Sequence, residues 1–141
     1  MLPGILIGLS AAVLLLLGVL HLVYTFRGPK LLPRDPALQS AMQTVSPVIS
    51  AETTMWKAWV GFNASHSMGA ILFGLVYGYL AVCQPRLLFD SAYLLAVGFA
   101  MLAGFFLLGR RYWFSVPYRC ITFALACYAA AILVSQFDPP A

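Results

Sequence analysis

Apolar residues along this chain gather into four long runs, residues 3–26, 56–82, 88–109 and 117–137, with charged residues only at or near their ends. Each run is close to the roughly 20 residues needed to cross about 30 Å of hydrocarbon as a helix. Leu-rich and Ala-rich stretches such as Ala11 to Leu17 show none of the period-two alternation that lipid-facing strands need, and four strands could not close a barrel. The pattern predicts an all-α polytopic membrane protein, a single four-helix up-down bundle occupying residues 1–141. The second and third connections, residues 83–87 and 110–116, are short, which makes successive helices antiparallel neighbours.

The first connection, residues 27–55, is too long to be a turn. Within it Asp35 followed by Pro36 marks a helix start, with the carboxylate as cap and the proline at the first helical position. Leu38, Ala41, Met42 and Val45 then recur at helical spacing, Gln39, Ser40, Gln43 and Thr44 take the other sides, and Pro47 stops the element. This is the pattern of a short interfacial helix or a lid. Ser50 can cap a further start, which would let the second long helix begin at Ala51, ahead of its apolar part. At the far end, Asp138, Pro139 and Pro140 terminate the last helix.

Composition agrees with this class: 62% of the 141 residues are hydrophobic and 9% charged, too little polar surface to cover a soluble globule. Charge adds a direction. Seven of the eight Lys and Arg residues flank connections one and three (Arg27, Lys30, Arg34, Lys57, Arg110, Arg111, Arg119), and only Arg86 lies in the second. The positive-inside rule then places those two connections in the cytoplasm and both termini on the opposite side of the membrane, and the three tryptophans fall at the cytoplasmic ends as interfacial anchors. The net charge of +4 therefore describes topology rather than nucleic-acid binding. The first helix, with no basic residue before it and no small-residue cleavage site, reads as a retained anchor.

Candidate chemistry concentrates on the second run. At 100° per residue Glu52, Trp56, Trp59, Asn63, His66, Ala70 and Tyr77 share one face, a polar stripe running inward from the cytoplasmic surface. His66 would lie about 15 Å inside, near the bilayer midplane, where a polar side chain is costly unless partnered. On the first helix His21, Tyr24 and Thr25 share a side, with His21 about 9 Å from the level of Arg27. Arg119, at the start of the fourth run, and the pair Arg110 and Arg111 are the nearby cations, with Glu52 as their expected counter-ion and Arg119 as its expected contact. Set against a ligand site is the plainer reading, in which such residues only bond a neighbouring helix, worth about 0.6 kcal/mol each, and the tryptophans only anchor the interface.

Gly61, Ser65 and Gly69 form a small-residue face that suits close helix packing, within the bundle, in a homodimer or against a partner subunit. Cys83, Cys120 and Cys127 lack the spacing of a redox or metal site, and Asn63, Ala64 and Ser65 match the glycosylation sequon only by accident of lying in a span. No acidic residue lies inside any run, Asp90 sitting at an end, which disfavours a carboxylate proton relay or a coupled transporter. HExxH, GxSxG and Walker-type loops are missing from the sequence. Haem b held axially by His21 and His66 is a remaining alternative, although their expected depths differ; no other metal or cofactor is expected.

The stretch from His21 through Tyr77, with HLVYT, LPRDPALQ and TMWKAWVGFNASHSMGAILFG, resembles a small bacterial family of four-helix membrane proteins that brings no assigned activity with it; the resemblance implies a bacterial origin. In architecture alone the chain is also similar to small sterol-isomerase-like and quinone-linked membrane proteins. The expectation is therefore a site in the cytoplasmic half for an apolar or amphipathic molecule, a lipid, isoprenoid or quinone, lined by His21, Tyr24, Thr25, Glu52, Trp56, Trp59, Asn63, His66 and Arg119. The alternative is a non-catalytic accessory subunit of a larger membrane complex.

Overall fold

A computed structural model describes residues 1–137. Among them there is no strand, and the order is α1 (Leu2–Phe26), α2 (Pro36–Thr44), α3 (Met55–Cys83), α4 (Pro85–Asp90), α5 (Ala92–Tyr112) and α6 (Ser115–Ser135). Helices α1, α3, α5 and α6 are long and apolar enough to cross a membrane. Their outward faces carry Leu16, Phe62, Leu72, Leu107 and Leu133, all more than half exposed, the surface that hydrocarbon solvates and water does not. The chain is an all-α membrane protein with four spanning helices. The expected stop at Asp138, Pro139 and Pro140 lies outside the described residues.

Three boundaries differ from the sequence reading for local reasons. Helix α3 does not begin at Ala51. Ser50 Oγ accepts the Glu52 N–H at 3.1 Å inside a turn, and Thr54 takes the capping role, its Oγ1 accepting the Lys57 N–H at 3.3 Å. Glu52 is consequently an exposed turn residue, one turn outside the helical face on which its spacing placed it. The second connection holds a helix of its own, α4, with Pro85 in its first turn, where a missing N–H costs nothing, and with Leu88 fully buried. Ser91 then caps α5 by accepting the Leu94 N–H at 3.2 Å, so that helix starts at Ala92 instead of residue 88.

The chain divides into two compact units, Gly18–Gly69 and the remainder, with both boundaries falling inside α1 and α3. The larger unit contains the N-terminal part of α1, the C-terminal part of α3, and α4, α5 and α6. Helices α1 and α3 run antiparallel in it at close range. A Cβ at Gly74 would stand 2.8 Å from the Ala11 carbonyl oxygen and 2.9 Å from Leu15 Cα, and one at Gly4 would stand 3.1 Å from the Ala81 carbonyl oxygen. Only glycine permits that approach, the usual means by which membrane helices gain packing contacts.

The centre of this unit is aromatic. The rings of Phe73 and Tyr77 stack at 4.5 Å, and Tyr128 meets them edge-on or tilted at 5.8 and 6.3 Å. Both buried hydroxyls are satisfied by α5, Tyr77 donating to the Leu94 carbonyl at 2.7 Å and Tyr128 to the Leu95 carbonyl at 3.2 Å. Gly98 makes room for them, since a Cβ there would overlap the Tyr128 hydroxyl and the Tyr77 ring. Tyr77, which the projection placed on the polar stripe of α3, is thus a core residue of this unit. At its rim an open apolar groove of about 340 Å³ runs past Gly4, Gly8, Ala81 and Val82.

Candidate functional site

The smaller unit, Gly18–Gly69, holds the end of α1, the connection with α2, and the start of α3. Its polar side chains first satisfy themselves locally. Thr25 Oγ1 donates to the His21 carbonyl at 2.8 Å, Ser67 Oγ to the Asn63 carbonyl at 2.8 Å, and Asn63 Nδ2 to the Trp59 carbonyl at 2.8 Å, each one helical turn back. Such back-bonding lets a hydroxyl or amide sit on a membrane helix without an unpaired donor. Asn63 is then oriented: with its NH₂ turned to Trp59, its Oδ1 faces α1.

There it meets His21, whose Nε2 lies 2.9 Å from Asn63 Oδ1. A carboxamide oxygen only accepts, so His21 Nε2 carries a proton and donates it to this bond. The imidazole of His66, one turn further along α3 from Asn63, packs against that of His21 with ring centroids 5.4 Å apart and planes at 83°. All three side chains are half-buried. Two helices thus bring two imidazoles and one carboxamide together, and with a single proton, on Nε2, His21 would offer Nδ1 as an acceptor. The cluster can accept a proton, donate hydrogen bonds and orient a small polar group.

Toward the end of α1 the same pair of helices encloses a void of about 10 Å³, lined among others by Tyr24, Thr25, Gly28, Trp56 and Trp59. That is room for one water. Gly28, at φ +83°, turns the chain out of α1 beside it, a left-handed conformation that favours glycine. The Lys30 ammonium lies 4.0 Å over the Tyr24 ring. Trp59 Nε1 donates to the Leu31 carbonyl at 3.2 Å, and the Met55 N–H donates to the Val45 carbonyl at 2.8 Å, so both halves of the connection are tied to the first turns of α3.

Of the residues singled out from sequence, the fold collects His21, Asn63 and His66 in one contact cluster and Tyr24, Thr25, Trp56 and Trp59 around the adjoining void. Thr25 and Trp59 bridge the two through their bonds to the His21 and Asn63 backbone and side chain. Glu52 belongs to the same unit but sits in the exposed turn before α3, and Arg119 belongs to the other unit. Among the described residues no group of three or more His, Cys, Asp and Glu is placed to hold a metal ion. The chain matches no protein-family model, no curated protein and no solved structure.

On the opposite side of α3, Gly61 and Ser65 are exposed, with nothing within 4 Å of a Cβ at Gly61, and Phe62 and Met68 beside them are largely uncovered; Gly69 is half-buried. The three free cysteines are scattered, Cys83 exposed, Cys120 half-buried and Cys127 buried. Two features of this chain's polar bonding are not legible from residue pattern alone. Trp59 serves as a hydrogen-bond donor to the connection, and Ser67, fully buried, completes the Asn63 turn. Ser67 stands four residues after Asn63, the spacing at which a hydroxyl reaches back to a carbonyl.

Proposed function

We propose that this membrane protein binds the polar group of an amphipathic molecule, a lipid, isoprenoid or quinone, at the cluster of His21, Asn63 and His66. The single observation that carries the reading is the convergence of both histidines of the chain, from separate helices, onto one contact held by Asn63. Ionisable side chains within spanning helices are expensive and mark functional sites by default. His21 Nδ1 would accept a ligand hydroxyl, or His66 would bond a carbonyl, while Tyr24, Trp56 and Trp59 flank the apolar part. Because the adjoining void holds only one water, access requires the Trp59 bond to Leu31 to open, which makes the connection a lid. In this reading the lid lies on the cytoplasmic side of a bacterial inner membrane, as the basic residues beside it favour.

The test compares the wild type with a His21→Ala, His66→Ala double variant, each purified in mild detergent, by native mass spectrometry and absorption. A stoichiometric small molecule carried by the wild type and lost in the variant supports the reading, and a Soret band lost in the same way would name haem as the occupant. Equal lipid content and equal thermal stability in the two proteins would sink it. A second reading, an accessory subunit or homodimer, is favoured by the uncovered face at Gly61 and Ser65. A partner at fixed stoichiometry, released by Gly61→Leu, would support that reading.

A further inference from the structure

The connection between α1 and α3 displays apolar side chains that its own unit leaves uncovered. Helix α2 buries none of its residues, Leu38 and Val45 are more than half exposed, and Val48 and Ile49, in the turn that follows, are all but fully exposed. In the same stretch Arg27, Lys30, Arg34 and Lys57 are exposed. The same stretch holds only two acidic residues, Glu52 and an Asp35 whose carboxylate already accepts the Ala37 N–H at 2.8 Å as the α2 cap. The segment is also tethered. Its two ends run into helices that cross a membrane, and the bonds from Trp59 to Leu31 and from Met55 to Val45 hold it to the first turns of α3.

Uncovered aliphatic side chains, an excess of cations and a position at the end of two spanning helices have one occupant in common. We infer that the connection docks on an anionic bilayer surface, with Val48 and Ile49 entering the boundary between headgroups and acyl chains and Arg27, Lys30, Arg34 and Lys57 meeting lipid phosphates. An amphipathic helix with basic neighbours binds in this way through apolar burial plus attraction to anionic lipid. A protein partner for this surface would have to approach across the headgroups that the tether already brings within reach. The inference is independent of what the histidines bind.

Hydrogen exchange of the full chain in nanodiscs tests it. Amides of residues 38–49 should exchange at least about tenfold more slowly in discs containing phosphatidylglycerol than in pure phosphatidylcholine, because each of the four cations adds to the attraction for anionic lipid. High salt should shrink the difference. Replacing Arg27, Lys30 and Arg34 by Gln should abolish it, and Val48→Glu with Ile49→Glu should remove protection in both lipids. Those two side chains are all but fully exposed, so their replacement leaves the fold intact. Equal exchange in the two lipids overturns the inference. Protection in detergent that grows with protein concentration also overturns it and assigns the surface to a second copy.

Discussion

Asn63 uses both ends of its carboxamide, one for the Trp59 carbonyl and one for His21 Nε2. Asn63→Leu removes both bonds and leaves a half-buried imidazole N–H without its acceptor, which costs about 1–3 kcal/mol; a fall in the thermal midpoint in detergent, larger than that of Ser65→Ala, is the expected result. Glycines separate more sharply. Gly74→Ala drives a methyl group into the α1 backbone and should cost about 1–3 kcal/mol. Gly61→Ala meets nothing, and helix propensity alone favours it by up to about 1 kcal/mol. Parallel thermal melts of the two variants check the contrast, and a Gly61→Ala protein that is clearly destabilised would show that its face is covered after all.

Among the elements, the four spans were legible from sequence because a run of about 20 apolar residues has few alternatives in water or lipid. The start of α2 was legible too, Asp35 and Pro36 doing what their chemistry predicts. The start of α3 was not, since Ser50 and Thr54 both offer a capping oxygen, and the bond from the Met55 N–H to the Val45 carbonyl, ten residues earlier, is not visible in local pattern. Helix α4 was hidden by its length of six residues, below what periodicity resolves. The histidine faces were readable and a shared site was expected, but the direct contact of the two rings was not, because it depends on the register at which α1 passes α3. At this scale, Asp35→Ala should fray α2 by about 1 kcal/mol. Faster hydrogen exchange over residues 37–44, with the spans unchanged, would be the sign of it.

For the molecule as a whole, the proposed topology, with connections one and three on the cytoplasmic side as their seven basic residues favour, predicts that residue 137 lies on the other side of the bilayer. An alkaline phosphatase fused after residue 137 should be active and a green fluorescent protein fused there dark; the reverse pair of results would invert the topology and place the lid outside. The larger unit has a further mechanical property. Tyr77 and Tyr128 reach α5 from two different helices and bond successive carbonyls, those of Leu94 and Leu95, on either side of the same glycine-lined hollow. Helix α5 is thus tied to α3 and to α6 by one hydroxyl each, so turning or sliding it past either neighbour breaks a buried hydrogen bond.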